Sequence, residues 1–458
     1  MTDVAARLTR LVQRAQAEAR IPALTVALHR ADRPLWRCAV GTTGNAARLS
    51  ADTPMRMGSV TKTFTAVLVM QCRQDGLLDL DDPISRHLDV PAHGELTVRR
   101  LLSHTSGLQR EPYGDVWDTL SAPDVRGLLA DLERVERVLP PGRRFHYSNL
   151  GMALLGHLVG RLRGGTWAEV LAERILEPLA MSSVTLRSGP GAATGFLVDA
   201  YSDHAHPEPE LDLGAVAPAA QLWGSAPDLA RWAAFLADPA AMDPAGTVLS
   251  APALDEMRWP ATVSDEAAWN SGFGLGLILV PMADRVVHVG HDGAMPGFLA
   301  SVYGRRGGPD TAPAMGVAVL GSSGTAGVVN ELSHQLLAAA AEHDPPRIAA
   351  WAPGEPAPAP YRELLGRWWG EGNEYVFGWH DGALRAHAVD APAGKPPAVF
   401  APLPDRPDLL RTVSGREVGE LLRLTRDGQG RVVRMHWATY RFTRRQEAFD
   451  GFDFRAPD

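Results

Sequence analysis

Residues 344–360 constrain the fold more than any other segment, because they divide the chain into two parts of different pattern. They contain six prolines in 17 residues, namely Pro345, Pro346, Pro353, Pro356, Pro358 and Pro360. Proline fixes φ and lacks a backbone donor, so a segment this dense ends regular structure and extends the chain. The sequence of 458 residues therefore predicts two folded parts, residues 1–343 and 361–458, joined by a proline-rich linker at 344–360.

The pattern differs on the two sides of this linker. Residues 1–343 begin with an amphipathic helix and two short strands, continue through mostly helical segments, and return to apolar strands near residue 285. This order indicates an α+β domain, in which a sheet is flanked by helices and carries a helical insert. Residues 361–458 alternate apolar and polar residues between Asp-Gly and Gly-Gln-Gly turns, which predicts an antiparallel β domain closed into a small barrel. Its expected strands are Glu374–Trp379, Ala383–Ala388, Glu420–Thr425 and Val432–Phe442.

Composition excludes several classes of protein. A net charge of −8 argues against nucleic acid as a partner, and 45% hydrophobic with 21% charged residues is typical of an ordinary globular protein. No stretch is long and apolar enough to span a bilayer, so no membrane partner is expected. The first 20 residues lack the apolar core of a signal peptide. We therefore expect a cytoplasmic protein.

Ser59 and Lys62 form the first chemically informative motif. The chain has only two lysines, Lys62 and Lys395, against 43 arginines. Arginine keeps its proton near neutral pH, whereas a desolvated lysine can lose it. A Ser-x-x-Lys motif on a helix places the hydroxyl and the amine one turn apart on the same face. The spacing predicts a nucleophile, Ser59, and its proton acceptor, Lys62.

Two further motifs are weak when taken singly. In Tyr147-Ser148-Asn149, a tyrosinate beside an ammonium group would relay protons and the Asn149 amide would orient a substrate, but a turn followed by an Asn helix cap explains the motif equally well. In His291-Asp292-Gly293-Ala294, glycine would let a substrate backbone lie against a strand edge, although a hairpin turn is the simpler explanation.

Together and in this order, the three motifs resemble those of the serine β-lactamase and penicillin-binding-protein superfamily, and specifically its class C β-lactamase-like branch. The resemblance covers about residues 10 to 342, and it extends to flanking segments, namely Leu77–Pro83, Leu101–Leu108 and Pro178–Met181. It implies that Ser59 is acylated, that Lys62 takes its proton, and that Tyr147 acts as base or relay. It also implies that Asn149 holds the substrate, that His291 occupies a position often held by lysine, and that no metal or organic cofactor is required. The oxyanion hole would consist of the backbone N–H groups of Ser59 and Ala294, and Gly293 would contact the substrate.

Two departures from the family pattern bear on the substrate. Histidine at position 291 is largely neutral near pH 7, which disfavours a β-lactamase that binds a substrate carboxylate through a permanent cation. The segment Ala219–Gly224 replaces paired glycines, and Trp223 within it either borders the cleft and shapes substrate choice or is an ordinary core tryptophan.

The whole chain resembles the penicillin-binding-protein-type thioesterases, stand-alone nonribosomal peptide cyclases with a C-terminal lipocalin-like domain. This resemblance implies that Ser59 accepts a peptidyl thioester ending in a D-residue, which a carrier protein could present, and releases it by macrocyclisation or hydrolysis. Arg434 and Arg441 would then be the candidates to hold the incoming peptide terminus. A cytoplasmic esterase, a D-stereospecific peptidase or amidase, and a sensor that binds acyl ligands without turnover are the alternatives.

Overall fold

The computed structural model describes residues 2–30, 33–142, 144–283, 286–307, 313–325, 327–343, 351–370, 372–392 and 395–447. The chain separates into two compact units, residues 1–347 and 348–458. Residues 344–350 of the predicted linker lie outside the described residues, whereas 351–358 have no regular secondary structure.

Strands occur in both units. In the part of the chain that the structure describes, those of the first unit are β1 (Ala23–Arg30), β2 (Arg33–Gly41), β3 (Met55–Arg56), β4 (Phe196–Val198), β5 (Ala205–Pro207), β6 (Trp223–Gly224), β7 (Thr262–Val263), β8 (Gly272–Phe273), β9 (Ile278–Pro281), β10 (Val287–Met295), β11 (Phe298–Arg305) and β12 (Met315–Gly321). Those of the second unit are β13 (Gly366–Gly370), β14 (Asn373–His380), β15 (Ala383–Ala388), β16 (Ala398–Leu403), β17 (Arg406–Ser414), β18 (Leu421–Arg426), β19 (Val432–Trp437) and β20 (Tyr440–Thr443).

Helices alternate with these strands in the first unit, and one short helix precedes β13 in the second unit. They are α1 (Thr2–Glu18), α2 (Thr61–Gln74), α3 (Val98–Leu102), α4 (Val116–Thr119), α5 (Val125–Ala130), α6 (Asn149–Arg163), α7 (Trp167–Leu171), α8 (Ala217–Ala220), α9 (Ala226–Ala237), α10 (Pro239–Met242), α11 (Ala251–Met257), α12 (Val328–His343) and α13 (Ala359–Arg362). Among the described residues, no helix combines the length and the apolar character that crossing a bilayer requires.

The first unit is built on one antiparallel sheet covered on both faces. Its strand order is β2-β1-β12-β11-β10-β9-β8-β7. Helices α1 and α12 pack on one face, around a core that includes Val26, Val317 and Leu336. Helix α9 and the helical insert cover the other face, around a larger core that includes Phe64, Leu154 and Trp232. The predicted α+β fold is confirmed.

Glycines in the sheet let α9 lie directly on it. A Cβ atom placed on Gly304 would lie 2.2 Å from the carbonyl oxygen of Ala233, and one on Gly316 would lie 2.2 Å from that of Ala230. Because both contacts are with backbone, they could be relieved only by moving the helix. The sheet and the helical insert are therefore held in close contact beside the strand that carries the third motif.

Strand β10 is longer than the sequence predicted. The sequence pattern places the end of the strand at Val289 and favours a turn at His291, whereas the structure continues the strand to Met295 and turns at Pro296 and Gly297. Strand β10 pairs with β11 throughout, but it pairs with β9 only from Val287 to Gly290. From His291 onward, that edge of β10 has no strand partner within the described residues.

The second unit is a closed antiparallel barrel in which each strand pairs with the next and β13 pairs with β20. Its interior is filled by buried side chains, many of them aromatic, including Trp368, Phe377, Phe400, Trp437 and Phe442. The predicted barrel is confirmed, but the single strand expected at Val432–Phe442 is wrong. A turn at Ala438, where φ is +53°, divides it into the hairpin β19–β20.

Candidate active site

Ser59 lies in a short 3₁₀ turn, Gly58–Val60, that leads directly into α2. The amine of Lys62, on the first turn of α2, lies 3.0 Å from the Ser59 hydroxyl oxygen. The same amine donates a hydrogen bond of 2.8 Å to the carbonyl oxygen of Ala219. The structure thus brings the predicted nucleophile and proton acceptor into direct contact.

Burial sets the protonation state of Lys62. Its side chain is completely buried, and this desolvation lowers the pKa of the ammonium group well below its ordinary value. The charge of Glu111 opposes this shift, and that of Arg110 adds to it. A neutral amine has two hydrogens and one lone pair. One hydrogen is directed to Ala219, and the lone pair is available to accept the Ser59 proton.

Tyr147 completes the contact around Ser59, but not as a tyrosinate. Burial raises the pKa of the Tyr147 hydroxyl above its usual value, although its hydrogen bond with the Ser59 side chain opposes the shift. The predicted lowering of this pKa by an adjacent ammonium is therefore wrong, since Lys62 itself is desolvated. The Lys62 amine lies 4.8 Å from the centroid of the Tyr147 ring. Tyr147 can thus act as a neutral relay that donates one proton and accepts another.

Asn149 begins α6, while the preceding Ser148 caps the helix by accepting a hydrogen bond from Gly151 N–H. The alternative reading of Asn149 as a helix cap is therefore not the arrangement observed. The Asn149 amide nitrogen donates a 2.6 Å hydrogen bond to Glu111, and its buried amide oxygen has no hydrogen-bond partner in the structure. Unpaired buried oxygens are costly and uncommon, so this acceptor is well suited to a substrate N–H group.

His291 presents a second unpaired acceptor. Its Nδ1 atom lies 2.5 Å from the carbonyl oxygen of Asp292, which can only accept, so Nδ1 carries the hydrogen. Burial is the main cause that lowers the pKa of His291 to about 3, which leaves Nε2 unprotonated at neutral pH. Nε2 is buried and has no partner. The expectation of a neutral histidine agrees with this geometry, and the ring offers the site a lone pair in place of a cation.

The Ser59 turn and the edge of β10 approach each other through two glycines. A Cβ atom on Gly293 would lie 1.9 Å from the Met57 carbonyl oxygen, and one on Gly58, where φ is +52°, would lie 2.8 Å from Ala294 N. The sequence reasoning assigned the space at Gly293 to a substrate backbone, whereas the structure gives it to the Met57–Ser59 turn. This approach brings the backbone nitrogens of Ser59 and Ala294 close to the two glycines, and their role as an oxyanion hole stays a prediction.

One cavity of about 510 Å³ is lined by several of these groups, although not by Lys62 or Asn149. Its lining includes the predicted residues Ser59, Tyr147, His291, Gly293 and Ala294. It also includes Arg110, which the sequence reasoning missed and whose guanidinium lies 4.8 Å from the Tyr147 ring centroid. Arg110 and Glu111 follow the Leu101–Leu108 motif, but nothing in their own pattern distinguishes them from surface charges.

His104 holds the Tyr147 segment in place. Its Nδ1 atom accepts a hydrogen bond of 3.2 Å from Ser148 N–H, and its carbonyl oxygen accepts one of 2.7 Å from His146 N–H. Its ring lies 4.4 Å from that of Tyr147 and 4.8 Å from that of Phe273. His104 is thus a positioning residue.

Of the other predicted binding residues, Trp223 lies in the core of the first unit, and Arg434 and Arg441 belong to the second unit. Trp223 is only 2% exposed and packs edge-to-face on Phe298 in the core, so its predicted place at the cleft border is wrong. Arg434 and Arg441 lie on the adjacent barrel strands β19 and β20. Together with Arg423 they surround His436 and lower its pKa, although desolvation is the larger cause. They form a basic patch on the barrel.

Comparison with known families agrees with this geometry. The model of the beta-lactamase family matches residues 8–341, which include every residue of the cavity. The chain belongs to the beta-lactamase family. It is accordingly a hydrolase of the serine β-lactamase and penicillin-binding-protein type, as the motifs predicted. A second model, described as a domain of unknown function (DUF7586), matches residues 357–444.

Curated relatives of this beta-lactamase family member differ in how much they share with it. Penicillin-binding protein 4 of Amycolatopsis lactamdurans is 30% identical over 72% of this chain and 88% of its own length. Beta-lactamase-like protein 2 of Dictyostelium discoideum is 35% identical over 30% of this chain. The chain spans only 27% of the length of that protein.

Solved structures extend the similarity to both units. The penicillin-binding protein homologue from Pyrococcus abyssi has a TM-score of 0.62 at 22% identity, with 95% of this chain and 99% of that one covered, which shows the fold. A structure of SurE has a TM-score of 0.61 at 27% identity and covers 97% of this chain and 99% of its own.

Proposed function

We propose that this hydrolase is an acyl-transfer enzyme that takes a peptidyl ester or thioester onto Ser59 and releases it to water or to the peptide's own amine. One observation carries the proposal: the Ser59 oxygen is in contact with the desolvated amine of Lys62, 3.0 Å away, and with the hydroxyl of Tyr147. A serine held in this way can lose its proton as it attacks a carbonyl carbon.

The groups present account for each proton. In acylation, Ser59 attacks the carbonyl, Lys62 accepts the hydroxyl proton, and the amides of Ser59 and Ala294 stabilise the oxyanion. Lys62 then passes a proton through the Tyr147 hydroxyl to the leaving thiol or alcohol, which departs and leaves an ester on Ser59. In release, the attacking water or amine gives its proton to Lys62 by way of Tyr147, and Lys62 returns a proton to the Ser59 oxygen as the ester bond breaks.

The neutral state of His291 supports a peptide rather than a β-lactam substrate. A β-lactam carries a carboxylate that a cation would bind, whereas His291 presents an unprotonated Nε2 that can only accept a hydrogen bond. The unpaired oxygen of Asn149 is likewise an acceptor. Two acceptors beside the nucleophile suit the N–H groups of a peptide backbone lying along the unpaired edge of β10.

The finer assignment is a penicillin-binding-protein-type thioesterase that acts on peptides ending in a D-residue. It is supported by the similarity to SurE over both units, and by a structure of SurE with D-Leu that is 26% identical and covers 97% of this chain. The roles of Arg434 and Arg441 in holding a peptide terminus, and of a carrier protein as donor, stay predictions. Replacing Arg441 with alanine should lower the ratio of cyclic to hydrolysed product if it has this role.

The decisive experiment identifies products by mass. The protein is offered a D-leucine-terminated peptidyl N-acetylcysteamine thioester with a free amino terminus, and separately a nitrophenyl ester. Cyclic peptide supports the thioesterase, whereas free acid alone supports an esterase or D-stereospecific peptidase. A single adduct on Ser59 without turnover would instead indicate a sensor. The Ser59→Ala variant, which should fold normally, sets the background. No adduct on Ser59 with any acyl donor would refute covalent acyl transfer.

A further inference from the structure

The active-site cavity extends past the edge of β10 to the opposite face of the sheet. Side chains alternate along a strand, so His291 faces Tyr147, while Asp292 faces α12. The cavity wall includes residues from both faces. This is possible because β9 stops pairing with β10 at Gly290, which leaves an opening beside the strand.

The rear part of this cavity, which we call the rear chamber, has apolar walls and a carboxyl group. Ile278, Val280 and Leu299 supply aliphatic surface. Asp292 accepts hydrogen bonds from the hydroxyls of Ser301, at 2.9 Å, and Tyr303, at 3.0 Å. These two bonds fix the position of the carboxyl group and leave it further lone pairs.

No positive charge in the described part of the chain balances Asp292. It forms no ion pair there; burial raises the pKa of its carboxyl group, and the hydrogen bonds from Ser301 and Tyr303 oppose this shift. The neighbouring histidines are not cationic at neutral pH, because burial lowers the pKa of His288, to about 3, and also that of His334. A desolvated carboxyl group without a counter-ion is a strong attractor for a cation that enters from the cavity.

We propose that the rear chamber is a subsite for an aliphatic ammonium group of the acyl substrate, with Asp292 as its counter-ion. The apolar walls suit a methylene stem, and the carboxyl suits the amine at its end. Asp292 lies two residues from Ala294 on the same strand, which is about 7 Å. A substrate whose carbonyl lies at the Ala294 amide can therefore place a lysine- or ornithine-like side chain in the chamber. This inference rests on the proposed function and adds a substrate class to it.

The test compares substrates that differ in one charge. Thioesters of acyl-D-lysine and acyl-D-norleucine with N-acetylcysteamine have side chains with the same four-carbon stem. The ratio of their kcat/KM values should favour lysine by at least about tenfold, the factor that one hydrogen bond to a charged group supplies. In Asp292→Asn this ratio should fall to about one. The exposed Asp203 gives the matched control, because Asp203→Asn should keep the ratio of the unmodified protein.

Two results would overturn the subsite. One is equal kcat/KM for the two thioesters in the unmodified protein. The other is an Asp292→Asn variant in which both values fall together with their ratio unchanged, since Asp292 would then only anchor Ser301 and Tyr303.

A binding measurement separates this proposal from acyl transfer itself. Pentylammonium should bind the unmodified protein at least about tenfold more tightly than 1-pentanol does, as measured by calorimetry. If neither thioester acylates Ser59 but this preference is observed, the proposed function fails and the subsite stands. If both thioesters react equally and pentylammonium has no preference over the alcohol, the subsite fails and acyl transfer stands.

Discussion

Two buried indole N–H groups have hydrogen-bond partners in the barrel interior, whereas two buried acceptors at the active site have none. In the barrel, Trp368 donates its indole N–H to the Leu364 carbonyl at 2.7 Å, and Trp437 donates to the Thr412 hydroxyl at 2.9 Å. At the active site, the amide oxygen of Asn149 and Nε2 of His291 are buried without partners. Unpaired buried acceptors lower stability. The difference indicates that the barrel core is optimised for stability. The active site instead retains unpaired acceptors that a ligand can bind.

The largest expected effect tests the cavity side of this comparison. Lys62→Arg should lower the single-turnover rate of Ser59 acylation by about 10³-fold, because an arginine cannot give up its proton to serve as a base. Lys62→Met should lose a similar factor while filling the same buried space without a charge. The rate is followed by intact-protein mass spectrometry and normalised to folded protein. An arginine variant within tenfold of the unmodified rate would contradict the proton-acceptor role.

Acid should affect the first unit more than the barrel. His288 and His291 have folded pKa values of about 3, below the ordinary value of about 6.5, so the unfolded chain binds more protons between these values. Stability should therefore fall as pH drops through this window, by roughly 2 to 3 kcal/mol for each histidine at about pH 4.5. Calorimetry should show that acid lowers the unfolding temperature of the first unit by more than it lowers that of the barrel. His288→Gln should weaken this pH dependence. An unchanged slope of stability against pH in this variant would contradict the role of His288.

Removing one hydrogen bond from the barrel interior should lower stability by less than acid lowers that of the first unit. Trp437→Phe removes the donor to Thr412, whose side chain is 1% exposed, and should lower the free energy of unfolding by about 2 kcal/mol. Urea unfolding measures the change. Trp351→Phe is the control, since Trp351 is 86% exposed and its replacement should stay within about 0.5 kcal/mol. Equal effects of the two variants would mean that the barrel core tolerates unpaired groups as the cavity does.

The smallest expected effect is an increase in the free energy of unfolding, where the previous variants lower it. Asn149→Leu removes the unpaired amide oxygen, and Glu111, which keeps partial contact with solvent, can be hydrated in place of its lost partner. The variant should be about 1 kcal/mol more stable and at least about tenfold slower in acylation. Asn270→Leu, at an exposed position, should change neither quantity. A lower free energy of unfolding in Asn149→Leu would show that the unpaired amide oxygen of Asn149 does not reduce stability.

Local features of the fold were predictable because short-range pattern determines them. The helix after Ser59 and the strands Ala23–Arg30 and Ala383–Ala388 lie where periodicity places them. Strands β13, β16 and β17 were not among the strands expected from the sequence; in β16, Pro402 interrupts the alternation, yet the barrel requires all three strands. Closure depends on pairing between distant residues such as Gly370 and Phe442, which no local pattern reports.

In the active site, as in the fold, contacts between residues close in sequence were predictable and long-range contacts were not. One helical turn joins Ser59 to Lys62, so their contact follows from spacing. The carbonyl oxygen of Arg110 accepts a backbone hydrogen bond from Asn149 N–H, and the Glu111 carboxylate accepts one from the Asn149 side chain; the sequence gives no sign of these long-range contacts. The protonation states depend on burial, which is why the expected tyrosinate was wrong.

The burial of Lys62 also has a practical consequence for handling the protein. The chain's other lysine, Lys395, is exposed on the barrel unit. Amine-reactive dyes and surface-coupling reagents should therefore modify Lys395 and the terminal amine, while Lys62 stays out of their reach. The protein could be tethered or made fluorescent in this way while the amine beside Ser59 stays unmodified.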